Sequence, residues 1–340
     1  MNDRRPDRIN RQILFAATPA GLPTAETFAL VESPMPEPAP GQILVRHLFL
    51  NLSPSARLRM AGDSDYGPGM PIGRPVQGQV IGVVESSRNP AFTVGERLIV
   101  NGGWQEYSVT SGHGAERVDP AIPTPSLALG LLGTSGMTAY VGLLDIGMPK
   151  PGETVVVSAA SGSVGSIAGQ IAKTVGCRVV GISGGEAKCS YVVETLGFDA
   201  CIDHRAAGFA ERLAAACPDG VDVSFENVGG EVRDAVWPLL NDFGRVALCG
   251  LIASYSDQGG APGPEWFRIL MRRLTVRGFL LRDHAHRREQ FLADMQEWHR
   301  CGLVQYREDI AEGLEHAPAA FSRLLQGENF GKALVRLADG

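Results

Sequence analysis

Residues 155–173, VVVSAASGSVGSIAGQIAK, most narrow the folds open to this chain. Val155 to Val157 form a β-branched run, and small residues follow from Ser158 to Ser163. Val164, Ile167, Ala168 and Ile171 then recur at helical spacing. Strand, tight turn and helix in that order aim unpaired helix N–H groups at an anion. The turn reads Ala160-x-Gly162-x-x-Gly165, a dinucleotide fingerprint with alanine in the first glycine slot. Gly162 lets backbone approach a pyrophosphate, and Gly165 lets the helix pack close on the strand. Alone, this pattern also fits a plain strand–helix turn; the further strand–helix units after it favour a nucleotide.

Those units follow in regular alternation. CRVVGIS (177–183) leads to KCSYVVETLG (188–197), and DACID (199–203) to GFAERLAAAC (208–217). VDVSFENVGG (221–230) leads to EVRDAVWPLL (231–240), and GRVALCG (244–250) comes next. Alternation of this kind predicts an α/β domain with a doubly wound parallel sheet of the Rossmann type. Before it, LALGLLGTSGMTAYVGLLD (127–145) has helical periodicity; after it come LTVRGFLL, a long helix around 285–301, a helix over 316–326 and a strand, KALVRLA. The first third is different in texture. GQILVRHLFL, GQVIGVVES, GERLIV and WQEYSVT read as strands separated by Pro- and Gly-rich turns. The tail can close back on that first part.

Composition removes several function classes. The formal net charge of −6 gives no basic excess for nucleic acid or an anionic membrane. The opening MNDRRPDRINRQ lacks the apolar core of a signal peptide, and no apolar run approaches the ~18 residues of a membrane span. The six cysteines all lie at or beyond Cys177 with no CxxC pair, so neither structural zinc nor a disulfide framework is predicted. A soluble protein of a reducing, cytoplasmic compartment is expected.

The second strand of the alternating region ends at Ser183-Gly184-Gly185, with no carboxylate to hold a ribose hydroxyl. Lys188 comes next, a cation able to meet a 2′-phosphate, while Glu186 opens a helix where it favours the dipole. A missing acid and an available base favour NADPH over NADH.

Several separated motifs carry a family resemblance. GTSGMTAYVGLLDIGMPKPGETVVVSAASGSVGS, FENVGG, LNDFGRVALCGLI, LTVRGF and NFGKALV together resemble the zinc-independent medium-chain dehydrogenase/reductases. Within them the chain is similar to the branch of prostaglandin/leukotriene reductases, plant double-bond reductases and bacterial curcumin reductases. The resemblance implies a GroES-like β-rich catalytic domain made from both ends of the chain (1–125 and 303–340), with an NADP-binding Rossmann domain (126–302) inserted. It also implies a homodimer. The first part then supplies a cover and substrate pocket for the nicotinamide. Zinc-dependent relatives draw ligands from an N-terminal Cys and a Gly-His-Glu segment; this chain has neither, and His47 and His113 lie outside any such motif. His284 and His286 in DHAHRR read as a solvated basic loop rather than metal ligands.

Carried over residue by residue, the resemblance places Gly162, Ser163, Val164 and Gly165 at the pyrophosphate and Lys188 at the 2′-phosphate. His204 stands where relatives often have Tyr. Asn227, Cys249, Gly250, Leu251, Ile252, Ser254, Tyr255, Phe279, Leu280, Leu281 and Asn329 match the remaining cofactor contacts. The family reduces the C=C bond of α,β-unsaturated ketones and aldehydes, and negative charge gathers on the carbonyl oxygen as an enolate. Without zinc that oxygen needs hydrogen-bond donors, and Tyr255 in CGLIASYS is the expected catalytic phenol. Ser256 replaces the usual Asn after it. Tyr66 aligns beside the pocket-lining loop, and in NLSPSARLRM (51–60) Ser55 replaces a family Tyr and Ser53 an Asp, while Arg57 and Arg59 are kept. A zinc-free quinone reductase and a non-catalytic NADPH-binding protein are the competing readings.

Overall fold

The computed structural model describes residues 9–122, 124–256, 263 and 265–339. Most of the opening segment read as lacking a leader, residues 1–8, lies outside them. The chain divides into two compact units: 1–129 with 309–329 and 333–340, and 130–308 with 330–332.

The first unit begins with an antiparallel ribbon, β1 (Ile9–Phe15) on β2 (Phe28–Pro34). Its main sheet is built on β3 (Ile43–Asn51), buried along nearly its whole length, with two apolar runs, Ile43–Val45 and Leu48–Leu50, on either side of Arg46 and His47. A short helix, α1 (Ala56–Met60), precedes β4 (Val80–Ser87), β5 (Arg97–Val100), β6 (Tyr107–Thr110) and β7 (Glu116–Arg117). β3 pairs antiparallel with β4, and the register slips between His47 and Phe49. On the other edge of β3, Ile43–Arg46 pair with β6.

The second unit opens where a single helical stretch was expected over 127–145. The structure instead makes a 3-10 turn at Pro125–Leu129, α2 (Thr134–Val141) and a π-helical turn at Gly142–Gly147. Glycines cause the breaks by admitting neighbours. A Cβ at Gly130 would fall 1.9 Å from the Tyr306 hydroxyl, and one at Gly136 would fall 1.8 Å from the Leu131 carbonyl oxygen. Then β8 (Thr154–Ser158), wholly buried, leads through the phosphate turn into α3 (Gly165–Val175). The succession continues as β9 (Arg178–Ser183), α4 (Glu186–Glu194), β10 (Ala200–Asp203), α5 (Phe209–Ala216), β11 (Val221–Glu226), α6 (Gly230–Val236) and β12 (Leu240–Leu248). α7 (Trp266–Arg272), β13 (Thr275–Gly278) and α8 (Arg288–Arg300) close it. The expected helix around 285–301 starts as a 3-10 turn over Leu281–Arg287. The strand order is β10-β9-β8-β11-β12-β13, and neighbours in it run parallel. This is the doubly wound Rossmann order, whose direction reverses between β8 and β11 and opens a crevice at their carboxyl ends.

The chain returns through β14 (Glu308–Glu312), α9 (Ala317–Leu325) and β15 (Lys332–Arg336). β15 pairs antiparallel with the second half of β3, Leu334 opposite Asn51 and Arg336 opposite Phe49. The core of the first unit gathers around fully buried Trp104, stacked on Phe28 at 5.3 Å and met edge-on by Phe321 at 5.6 Å. A residue far along the chain thus completes the N-terminal core.

Candidate nucleotide site

Two hydrogen bonds anchor the phosphate turn to the sheet. Ala160 N–H donates to Ile182 O at 2.9 Å, and Ser161 N–H donates to Ser183 Oγ at 3.0 Å. Gly162 N–H closes the turn on Ala159 O at 2.9 Å, and Ala159 takes the left-handed φ of +50° that this reversal needs. Gly165 packs where no side chain fits: its Cβ would stand 2.4 Å from Ala159 O and 2.9 Å from Ala159 C. Among the described residues, the N–H groups of Ser163, Val164 and Gly165 have no protein acceptor. Three donors at the start of an eleven-residue helix make an anion cradle. Gly331 lies alongside, bridged to Gly162 and donating its N–H to Ser161 O at 3.1 Å. Next to it, Phe330 meets Tyr191 of α4 edge-on at 4.9 Å, with the Arg307 guanidinium 3.9 Å over the Phe330 ring.

The tip of β9 carries more charge than the sequence suggested. Lys188 sits in the first turn of α4. A Cβ at Gly184 would stand 2.8 Å from Arg205 Nε and 3.1 Å from His204 Nε2, so both side chains lie over the tip. Burial lowers the His204 imidazole below its usual range, and Arg205 and Lys188 push it the same way. An acid is present after all, supplied by the next strand. Asp203 Oδ1 accepts the Gly185 and Arg205 N–H groups, both at 2.9 Å, and the first of these hydrogen bonds is the main reason its carboxyl lies below the ordinary range. That carboxylate is engaged with backbone, while the cations line the surface. Sequence reasoning missed Arg205 and Asp203; their signal was a charged triplet at the end of the third strand.

At the switch point the strand ends are tied by a buried carboxylate. Glu226, 2% exposed, accepts from Ser158 Oγ at 2.8 Å, Val228 N–H at 2.6 Å and Gly229 N–H at 3.0 Å. Asn227 donates its N–H to Ser158 Oγ at 2.7 Å and its side-chain amide to Ser158 O at 2.8 Å. Ser158 and Glu226 were not singled out from the sequence, although a polar residue closing an apolar strand was a signal. Cys249 N–H and Gly250 N–H both donate to Glu226 O, and burial pushes the Cys249 thiol up to about 12. The chain then turns through Leu251 and a 3-10 turn, Ile252–Ser254, to Tyr255. Leu251 N–H donates to the Tyr255 hydroxyl oxygen at 3.4 Å, which fixes the phenol over Gly250. Phe279, Leu280 and Leu281 come after β13, and Phe279 meets the His284 ring edge-on at 6.3 Å. His284 is no solvated loop residue: its side chain is 14% exposed, 4.0 Å from Asp145, whereas His286 is exposed. Asp145 also accepts from Arg287 at 2.9 Å.

In the first unit, Ser55 begins α1, with its hydroxyl 2.8 Å from that of Ser53. Arg57 is buried and donates to Gly21 O and Pro19 O. Tyr66 lies 46% exposed in the turn bridged between Ser64 and Gly67. Asn329 directly precedes the segment that borders the phosphate turn. His47 is buried: Nδ1 lies 2.6 Å from Gln105 O, and Nε2 lies 2.7 Å from Ser108 Oγ. A carbonyl only accepts, so Nδ1 carries the proton and Nε2 accepts from Ser108. Among the described residues, no group of three His, Cys, Asp or Glu could hold a metal.

Residues 11–118 match the family model of the N-terminal domain of oxidoreductase, and residues 163–297 that of a zinc-binding dehydrogenase. The chain is 44% identical to NADPH-dependent curcumin reductase of Escherichia coli (strain K12) over 335 residues, 97% of either chain. It is 40% identical to prostaglandin reductase 1 of Rattus norvegicus, over 93% of this chain and 95% of that one. Among solved structures, CurA from Vibrio vulnificus in complex with NADPH matches at a TM-score of 0.93 and 46% identity, covering 97% of this chain and all of that one, 100%.

Proposed function

Since this chain belongs to the zinc-independent medium-chain dehydrogenase/reductases, in the branch of prostaglandin and curcumin reductases, we propose that it is an NADPH-dependent reductase of the C=C bond in α,β-unsaturated ketones and aldehydes. Residues 126–302 form its NADP-binding domain in this reading, and 1–125 with 303–340 its catalytic domain. The residues present fit a 2′-phosphorylated dinucleotide. The turn offers three N–H donors to a pyrophosphate, and a Cβ at Gly165 would close the turn that presents them. Lys188 and Arg205 supply positive charge at the tip of β9, where the His204 imidazole lies beside Arg205 and Asp203 is held by backbone N–H groups. Ser163, Val164, Gly162 and Gly165 hold the pyrophosphate. Asn227, Cys249 to Ile252, Ser254, Phe279 to Leu281 and Asn329 complete the cofactor contacts.

Bound NADPH supplies a hydride to the substrate's β-carbon. The protein's task is then the charge that appears on the carbonyl oxygen. The observation that carries the reading is Tyr255, placed beyond the carboxyl end of β12 with Leu251 N–H donating into its oxygen. A phenol that accepts from backbone is oriented as a donor, and its O–H stabilises the enolate oxygen and passes a proton toward it. One such donor contributes ~3–4 kcal/mol to lowering the barrier. The buried Ser158–Glu226–Asn227 network holds the floor of the crevice rigid while the substrate reacts. Ser55 and Tyr66 line the substrate pocket.

No helix among the described residues is long and apolar enough to cross a membrane. We propose a cytoplasmic homodimer that pairs through β13. That strand is a sheet edge, and its Val276, with Trp266, Phe267 and Leu270 of α7, is exposed. An apolar edge of this kind is stabilised by a second copy.

The test is NADPH oxidation with an enone, a quinone and a saturated aldehyde, the product identified by NMR. The enone alone should turn over well, and Tyr255→Phe should lower kcat about 10²-fold with NADPH affinity nearly intact. Faster turnover of the quinone, indifferent to Tyr255→Phe, would establish a quinone reductase. Absence of turnover with every acceptor would leave a nucleotide-binding protein.

A further inference from the structure

The first unit holds a serine and a histidine joined as nucleophile and base are joined in hydrolytic enzymes. Strand register sets the pair. Ser108 of β6 lies opposite Val45 of β3, and His47 follows Val45 by two residues, so the three side chains share one face. The Ser108 hydroxyl donates to His47 Nε2 at 2.7 Å, and His47 Nδ1–H donates to Gln105 O at 2.6 Å. A Cβ at Gly102 would stand 2.5 Å from both Cε1 and Nε2 of the ring, so glycine there leaves room for the imidazole. Neither Ser108 nor His47 is among the residues assigned above to nucleotide or enone.

A cavity of about 280 Å³ opens on the pair. Ser108 is part of its wall and the buried His47 is not, so the base stands behind the nucleophile. Asn101 lines the same cavity, exposed, and brings an amide donor to it. Pro34, Pro36 and Pro75 add apolar surface. The Gln105 carbonyl does for the ring what a carboxylate does in a serine hydrolase: it fixes the tautomer and faces the positive charge as it forms. Burial lowers the imidazole to about 4, against the lift from that hydrogen bond. At neutral pH Nε2 is therefore open to a proton, and the base is a weak one. A weak base suits a leaving group that departs with little help, such as a phenolate.

We propose that Ser108 and His47 form an acyl-transfer site that hydrolyses small activated esters, with aryl esters of short carboxylic acids as the substrate class. Ser108 Oγ attacks the ester carbonyl carbon while its proton passes to His47 Nε2, and the carbonyl electron pair moves onto oxygen. The Asn101 amide is the donor for that oxyanion. The pair returns to carbon as the bond to the phenolate oxygen breaks, and the phenolate takes the proton from Nε2. Water then attacks the acyl-serine carbonyl and gives a proton to Nε2. Ser108 leaves with that proton as the carboxylic acid is released. One ester and one water become one phenol and one acid, with nothing oxidised or reduced.

This chemistry does not rest on the cofactor reading, and its test uses the full chain without nucleotide. A fluorophosphonate probe is applied and the labelled peptide identified by mass spectrometry, while turnover of p-nitrophenyl acetate is followed by release of p-nitrophenolate. The expected result is phosphonate on Ser108 and loss of turnover in proportion to that labelling. His47→Gln, checked for the native fold by circular dichroism, should slow the labelling of Ser108 at least about 10²-fold, as for removal of a general base. Ser108→Ala should remove the turnover that the probe stops. Labelling that spares Ser108, labelling at an equal rate in His47→Gln, or turnover unchanged in Ser108→Ala overturns the proposal. The map on the unaltered chain needs no variant, so it decides whether Ser108 is a nucleophile even where a variant fails to fold.

Discussion

Replacing either glycine of the phosphate turn by alanine separates two roles that the fingerprint combines. At Gly165 the new methyl would stand 2.4 Å from Ala159 O, 2.9 Å from Ala159 C and 3.1 Å from Ala160 Cα. All three are backbone atoms, so no change of rotamer relieves the clash, and the turn or α3 must move. Overpacking of this kind costs ~1–3 kcal/mol, a fall in Tm of about 3–10 °C for a domain of this size. At Gly162 the methyl meets Ala159 O at 3.1 Å and little else, and φ there is not left-handed. Gly162→Ala should therefore cost less than ~1 kcal/mol of stability. It should nonetheless stand in the way of the pyrophosphate and lose charge-assisted hydrogen bonds worth ~1.5–3 kcal/mol, a rise in NADPH Kd of about 10–100-fold. Thermal unfolding of the ligand-free variants gives the first quantity and NADPH titration followed by protein fluorescence gives the second. Equal losses of Tm in the two variants, or an unchanged Kd in Gly162→Ala, would refute the reasoning.

Three further outcomes are expected. Lys188→Ala should weaken NADPH and leave NADH little affected, and Arg205→Ala should do the same if its guanidinium shares the phosphate; equal losses for both cofactors in initial-rate kinetics would defeat the assignment. His47 has its imidazole lowered from 6.5 to about 4 by burial, so the unfolded chain takes up a proton that the fold rejects. Stability should thus be full above pH ~6.5 and fall as pH drops toward ~4, by up to ~3 kcal/mol; chemical unfolding across that range checks it, and His47→Gln should flatten the slope. Ser55→Tyr should raise KM for bulky or branched enones more than for short alkenals, because the ring fills space that the hydroxyl leaves; an equal effect on both would show that Ser55 does not set substrate size.

The inserted sheet was legible because its strands are short β-branched runs between turns, each followed by a helical period. Val155–Val157 announce a buried strand wherever they occur, and Ala160-x-Gly162-x-x-Gly165 sets the tight turn and the helix after it. Other features depend on residues distant in the chain. Nothing local in 127–145 says that the Tyr306 hydroxyl will occupy the space beside Gly130 and interrupt the helix. β1 and β2 escaped notice because polar residues break their alternation, and β1 is held both by pairing with β2 and by backbone hydrogen bonds to Arg74, Val76, Trp104 and Glu106. The site obeyed the same rule. Ser183-Gly184-Gly185 brings no acid of its own to the end of the second strand, yet Asp203 reaches Gly185 from the next strand. Which charge faces ligand and which faces backbone is decided by parallel register, and sequence spacing does not encode it.

The pairing of β15 with β3 has a consequence for biosynthesis. Asn51 and Leu334 are partners, and nearly the whole chain lies between them. At ~5–20 residues per second, a ribosome takes tens of seconds to deliver β15 after β3 has emerged. Throughout that interval the second half of β3, a run of buried apolar residues in the finished sheet, has an unfilled edge. Most of the alternating region, whose neighbours in the sheet are mostly close in sequence, can form on the nascent chain during the same wait. The nascent protein therefore meets the chaperones with its inserted part largely folded and its surrounding part open, and substitutions in residues 333–336 should show first as poor yield of folded protein.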